Sequence, residues 1–510
     1  MTVRWGLCLN VKKCKDARDK QHIPIPHGAR FVCPECSEPL EDENTVVPQV
    51  APAAPLKKSP NILLIAVVVV LFLAVIAGFA SWSMHHTAKA ATTKTILRLA
   101  GSNTIGDTLG PSLAEAFLKD QGAANVHILP GANPLEKIVE GVLPGDNSPS
   151  SITIAAHGSA TAFTALADNN CDIGMASRKI KPDEAAKLKS LGDMSSVLNE
   201  HIVGLDGIAV IINPANPASQ LDKDKIMRIF TGEITDWSQV GAYRGAIKVY
   251  ARNDNSGTYD TFKSLVLGGK PLAAGAQRIE DSMALSDAVA ADPYGIGFIG
   301  LPYIASSKPI AVSDKGTLAL LPTRLTVGTE DYLLSRRLFL YTPAQPSNKY
   351  MRKFLEFAIS SKGQDVVAST GFIAQNVEQV AQKAPADAPA EYKELTQDAN
   401  RLSLNFRFAS GQMDLDNKAK VDLERVVSLI ADLNYPADKI MLFGFSDGTG
   451  DSASNQALSL SRAKAIEDQF IRRGIKPALV RGFGSNLAIA SNESDEGQAR
   501  NRRVEVWIRK

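Results

Sequence analysis

Residues 62–80 spell ILLIAVVVVLFLAVIAGFA, an uncharged apolar run of 19 residues. At about 1.5 Å rise per residue, a helix of that length crosses a hydrocarbon core of roughly 30 Å. Nothing else in the sequence constrains the chain as much, because the run divides 510 residues into a short and a long part on opposite faces of a membrane. A cleaved signal peptide has a shorter apolar stretch close to the start, whereas this one begins at residue 62. The spacing predicts a single transmembrane helix over 61–82. Lysine and arginine flank both ends, so basic charge alone does not orient it. The cysteines do: Cys8, Cys14, Cys33 and Cys36 precede the span, and Cys171 alone follows it. Four thiols belong in a reducing compartment, which puts the N-terminus in the cytoplasm and the bulk of the chain outside. One lone cysteine after the span also excludes a disulfide framework there.

The same four cysteines suggest a metal site in residues 1–40. Cys33-Pro-Glu-Cys36 is a tight knuckle of the kind a tetrahedral zinc ion needs, and Cys8 and Cys14 supply a wider second pair, with His22 and His27 as alternative ligands ranked behind the four thiolates. Forty residues bury too little to fold alone, so a structural zinc would supply folding energy to a small zinc-ribbon-like module. Such a module offers a docking point for a cytoplasmic protein partner. Residues 41–60, rich in Pro, Ala and Val, form a linker.

The length beyond the membrane is enough for about two domains. With 22% charged residues and a formal net charge of +2, no nucleic-acid partner is implied. An Ala/Pro-rich stretch at 378–394 is expected to be a linker between a domain at 95–377 and another at 395–510.

The last domain alternates strand-like runs (KIMLFG, VRGFG, RVEVWI) with one long helical pattern. GFSDGTGDSASNQALSLSRAKAI, then GFGS, then ARNRRVEVWI resembles the OmpA-like peptidoglycan-binding domain. The resemblance implies an α/β sandwich that holds the diaminopimelate of cell-wall stem peptides. It assigns the contacts to Asp447, Asn455 and Arg462. The chemistry suits a zwitterion: a carboxylate takes the ammonium, and a guanidinium takes the carboxylate in a two-point contact.

In the middle domain, several strand-like runs end in hydroxyl-rich turns that open helices. They include Gly101-Ser102-Asn103-Thr104, His157-Gly158-Ser159 and Arg252-Asn253-Asp254-Asn255-Ser256-Gly257-Thr258. Turns of this type aim backbone N–H groups and a helix dipole at an anion. With GIAVIINPANP, IMRIFTGEITDWSQVG and PYGIGFIGLPY, the domain is similar to type II periplasmic binding proteins of the phosphate-binding kind. That resemblance implies two α/β lobes closing on an oxyanion. It assigns the contacts to Asn103, Thr104, Ser159, Asp172, Arg252, Ser256, Gly257 and Thr258. Asp172 is expected to select for a protonated oxyanion, since a carboxylate only accepts hydrogen bonds and ionised sulfate has none to give.

The fold class expected is therefore multidomain α/β: a two-lobed type II binding protein and an OmpA-like sandwich, after one transmembrane helix and a zinc-ribbon-like module. The function expected is a single-pass inner-membrane receptor, its bulk in the periplasm and attached to peptidoglycan, that binds phosphate or a related oxyanion for capture or sensing. A membrane-to-wall tether with a ligand-free middle domain is the alternative. No H-E-x-x-H or P-loop element is present, so no enzyme is expected.

Overall fold

The computed structural model describes residues 93–510 apart from 255, 346, 409–413 and 434, and of the first 92 residues only 4–7, 22–25, 32, 33 and 40–42. Two compact units result, Met1–Ala88 and Lys89–Lys510. In the first, Arg4–Leu7 pairs antiparallel with both His22–Ile25 and Glu41–Asp42. Cys33 is buried. Cys8, Cys14, Cys36, the linker 41–60 beyond Asp42 and the expected span 61–82 lie outside the described residues. Among the described residues no helix is long and apolar enough to cross a membrane.

The second unit starts with a two-lobed domain. Its first lobe contains β1 (Lys94–Gly101), a π-helical turn (Ile105–Leu109) running into α1 (Gly110–Asp120), and the hairpin β2 (Ala124–Pro130) and β3 (Glu136–Val142). Then come β4 (Ser150–Ala155), α2 (Ser159–Ala167) and β5 (Ile173–Ala176). β6 (Glu200–Ile212) carries the chain into the second lobe, with β7 (Lys248–Ala251), α3 (Gly257–Leu265), β8 (Gln277–Arg278), α4 (Ser282–Ala291) and β9 (Gly295–Gly300). β10 (Ser335–Tyr341) returns to the first lobe, which α5 (Lys349–Ile359) and α6 (Ser361–Ser369) complete.

One sheet runs through both lobes in the order β8-β7-β9-β6-β10-β5-β1-β4-β3-β2, with Lys308–Pro309 beside β6. The lobes are thus joined at β6 and β10, which pair antiparallel. Their sequences show why they can sit there. EHIVGLDGIAVII is apolar almost without alternation, as a strand covered on both faces must be. Separate apolar cores fill the lobes, one around Phe117 and Phe354 and the other around Phe230, Phe262 and Phe298.

The C-terminal domain is a five-stranded sheet with helices packed on it. β11 (Gln379–Ala381), α7 (Ala390–Thr396), β12 (Ala399–Arg407), α8 (Asn417–Asp432), β13 (Ile440–Gly444), α9 (Ser452–Ile471), β14 (Leu479–Gly482), α10 (Asp495–Asn501) and β15 (Arg503–Arg509) follow in sequence. The sheet order is β11-β12-β15-β13-β14. The expected linker 378–394 is corrected here. β11 is an edge strand of this sheet, and Ala388 and Tyr392 are buried in its core. Edge pairing uses backbone groups only, and one aromatic ring suffices as an anchor, so an Ala/Pro-rich composition did not reveal it.

The C-terminal domain is docked on the two-lobed domain through charge. Asp331 takes Arg401 at 2.8 Å and Asn405 Nδ2 at 2.8 Å, all nearly dry. Arg337 pairs with Glu330 at 2.7 Å and with Asp416 at 2.8 Å. Arg500 donates to the Tyr332 carbonyl at 3.0 Å and to the Ser335 hydroxyl at 3.2 Å. Successive residues of a strand face opposite ways. On β10, Ser335 and Arg337 meet the C-terminal domain, while Arg336 between them turns toward the cleft.

Candidate functional site

Between the lobes lies a cleft of about 670 Å³. Its inner end is formed where strands of the parallel parts of the sheet finish and helices begin, the position where such sheets bind ligands. Asn103 and Thr104 come from the turn after β1, and Ser256 and Thr258 from the start of α3. Just beneath them Ser159 Oγ accepts the Ser177 N–H at 3.1 Å. A Cβ added at Gly257 would stand 2.6 Å from Ser177 Oγ, so only glycine lets α3 approach this closely. The Ser102 hydroxyl and Asn103 Oδ1 are buried there without a hydrogen-bond partner. Buried polar atoms are rarely left unsatisfied, which marks the inner end as a place that receives something.

Arg252 supplies the charge. Among the described residues it forms no ion pair; one Nη1 bonds Ser282 Oγ, and its buried Nε has no partner. Burial lowers its pKa, and Arg336 nearby pushes the same way, whereas Tyr303 and Asp107 oppose the shift. A guanidinium held in that state is electrostatically unfinished.

Arg336 is the second cation, and it was not anticipated. It is buried against Asp206, at 2.6 Å. Its remaining N–H groups reach Thr104 at 3.2 Å, Thr258 at 3.0 Å and Thr261 at 3.1 Å. One guanidinium on the connecting strand therefore orients hydroxyls from both lobes. The sequence held a signal for this: two arginines inside the apolar run LLSRRLFLY need buried partners. The partner, Asp206, lies 130 residues away on β6, which no local pattern reveals.

Asp172 is a correction. It does not line the cleft; both its oxygens hold Arg98, at 3.2 and 3.3 Å, and it also accepts the Arg98 backbone N–H at 2.7 Å. Asp172 stands immediately before β5, and β5 runs parallel to β1 with Gly101 opposite Met175. The cleft is at the far end of that strand, roughly 13 Å away at about 3.3 Å per residue. Ser177 and Arg178 occupy the cleft end instead. The expected selection by Asp172 has no basis in this geometry. Of the other seven residues, Asn103, Thr104, Arg252, Ser256 and Thr258 line the cleft, while Ser159 and Gly257 close it from below. Cys171, buried beside Asp172, has its thiol pushed up to about 12 by burial.

The second candidate site is in the C-terminal domain, where the turn after β13 meets α9. Asp447 and Arg462 are both buried there, but they do not pair. Asp447 takes Arg502 at 3.1 Å and the Thr449 hydroxyl. Burial opposes its ionisation, yet these bonds outweigh that and hold the carboxyl below its usual range. Among the described residues Arg462 hydrogen-bonds only the Phe445 carbonyl, at 3.4 Å, and its Nε is unpartnered. Burial lowers its pKa, Asp447 counters this, and Arg502 adds to it. Asn455 is buried alongside, donating to the Gly450 carbonyl at 3.4 Å. Arg502 belongs to this site, although the sequence assigned it no role.

A PBP superfamily domain matches residues 87–362, and an OmpA family domain matches residues 407–502. The phosphate-binding protein PstS of Staphylococcus aureus (strain bovine RF122 / ET3-1) is 29% identical over 238 residues, covering 45% of this chain and 71% of that protein. Its counterpart from strain MRSA252 is 30% identical over 227 residues, covering 43% of this chain and 68% of the relative. An ABC-type phosphate transport receptor from Vibrio cholerae, of known structure, aligns over 54% of this chain and 99% of its own at 22% identity, with a TM-score of 0.43.

Proposed function

We infer, because this chain belongs to the PBP superfamily and ends in an OmpA-family domain, that it is a wall-attached receptor for a phosphate-type oxyanion. The observation that carries the reading is Arg252, a cation with no ion-pair partner among the described residues, set at converging helix N-termini. An anion there gains a charge-assisted hydrogen bond, backbone donors and the hydroxyls that Arg336 orients. The inner end offers hydrogen-bond donors to such an anion. Calorimetry of the full chain in detergent against phosphate and sulfate tests this. Failure to bind either anion at millimolar concentration leaves the ligand-free tether as the better account.

Peptidoglycan is the second ligand. Arg462, with no carboxylate partner among the described residues, takes the diaminopimelate carboxylate, and Asp447 exchanges or shares Arg502 for the ammonium. Arg462→Ala and Asp447→Ala should each abolish sedimentation of the chain with purified peptidoglycan, because a lost partner in a desolvated charge pair costs about 2–5 kcal/mol. Phosphate binding should not change. Both variants pelleting like wild type would rule the assignment out.

The N-terminal part completes the proposal. Residues 61–82 anchor the chain in the inner membrane with residues 1–40 in the cytoplasm, where Cys8, Cys14, Cys33 and Cys36 hold structural zinc and present a surface to a cytoplasmic protein. One zinc per chain is expected in protein purified under reducing conditions, and protease added to intact spheroplasts should spare only residues 1 to about 82, the cytoplasmic part and the span. Chains without stoichiometric zinc, or cut on the cytoplasmic side, contradict this.

A further inference from the structure

The receptor reading leaves most of the cleft unused. A tetrahedral oxyanion has five heavy atoms and is satisfied by the inner end alone. About 670 Å³ is instead in the range of pockets that enclose a whole small organic molecule, roughly 300–1,000 Å³. The lobes already touch at the inner end of the cleft. Arg336 already bonds Thr104 of one lobe and Thr258 of the other, and Arg178 of the first lobe meets Asp260 of the second at 3.4 Å.

The outer part of the cleft is walled by the β2–β3 hairpin, whose sequence carries no motif. Three contacts pin it to the rim. The Leu135 carbonyl accepts the Ala156 N–H at 2.9 Å, Glu136 meets His157 at 3.0 Å, and Lys137 Nζ donates to the Asp107 carbonyl at 2.9 Å. They hold Asn133, Pro134 and Leu135 on one side of the opening, with Asn253, Glu280 and Tyr303 on the other.

We propose that this outer compartment receives the organic part of a phosphomonoester, a compact sugar or polyol phosphate, whose phosphoryl group sits at Arg252. The proposal rests on the receptor reading. Pro134, Leu135 and Tyr303 offer apolar faces to C–H groups, and Asn133, Asn253 and Glu280 offer donors and acceptors to hydroxyls. Charge narrows the class further. Lys137 offsets Asp107 at 3.5 Å, but Glu280 and Asp281 also line the compartment and have no cation paired with them among the described residues. A second phosphoryl group would meet these carboxylates, so bisphosphates are disfavoured.

Calorimetry of the full chain with orthophosphate, glycerol 3-phosphate, glucose 6-phosphate and fructose 1,6-bisphosphate tests the proposal. One monoester should bind at least about tenfold tighter than orthophosphate, which is about 1.4 kcal/mol, and tighter than the bisphosphate. Both wall residues are at the surface, so the double variant Asn133→Ala, Leu135→Ala should fold, lose that advantage and keep its orthophosphate affinity. Orthophosphate binding as tightly as every monoester overturns the proposal and leaves the receptor reading standing. An ester advantage unchanged in the double variant overturns the assignment of the compartment. Binding of none of the four defeats the receptor reading itself.

Discussion

Arg252→Ala should lose phosphate binding by a factor between roughly 30 and several thousand. Removing one partner of a desolvated, hydrogen-bonded charge pair costs about 2–5 kcal/mol, and about 1.4 kcal/mol is a factor of ten. The unliganded protein should not suffer. Arg252 has no ion pair among the described residues, and its pKa is lowered by burial before any other cause. Its charge is therefore a cost in the empty cleft, and alanine should leave the unfolding temperature unchanged or raise it. Arg252→Lys keeps the charge and loses the planar fork, so its affinity should fall in between. Thermal unfolding and calorimetry on the same three proteins separate the roles. A structural arginine would lower the melting temperature when removed; a ligand-binding one would lower affinity alone. Phosphate affinity within about threefold of wild type in Arg252→Ala would place the anion elsewhere.

What the sequence revealed of this site, and what it concealed, follows from how local each feature is. Arg252, Ser256, Gly257 and Thr258 lie on one turn and the first residues of one helix, so their spacing alone brings them together. Asn103 and Thr104 are the same kind of feature. Asp172 failed for a reason that strand direction supplies. In a parallel sheet the ligand sits past the carboxyl ends of the strands, and Asp172 precedes its strand, so it was placed one strand length from the cleft. Arg336 and Asp206 were missed because their pairing depends on two strands, β6 and β10, lying side by side after a long excursion of the chain. Asp447 and Arg462 were found together, yet the ion pair went to Arg502 from β15's approach, a third segment that only the folded sheet brings near. The two-lobed domain and the terminal sandwich were legible because their motifs resemble those of known families. The docking of one on the other was not, because it is made by single charged residues scattered over both.

That docking gives the other large effect. Asp331→Ala should destabilise the joined domains by about 3–5 kcal/mol, the usual result of leaving buried charges without their partner. Arg401 and Arg407 would remain in a nearly dry interface, with Glu505 at 3.4 Å and Glu330 at 3.4 Å as their nearest carboxylates. At roughly 2–4 °C per kcal/mol for domains of 150–250 residues, the melting temperature should fall on the order of 10 °C. Acid should do the same to the wild type. Burial opposes ionisation of Asp331, but Arg401, Arg503 and Arg407 outweigh it and hold its carboxyl below the ordinary range; Glu330, beside Arg337 and Arg407, is shifted the same way. A carboxyl depressed in the folded state contributes stability that is present above its unfolded pKa, about 4, and is lost as pH falls toward the folded value. Wild-type stability should therefore decline below about pH 4, and Asp331→Ala should show a shallower decline because one of the two carboxyls is gone. Asp331→Ala, Arg401→Met removes both members of the closest pair and should recover part of the loss, since the residual charge is smaller. A melting temperature that Asp331→Ala leaves untouched would mean that the two domains do not hold each other through these charges.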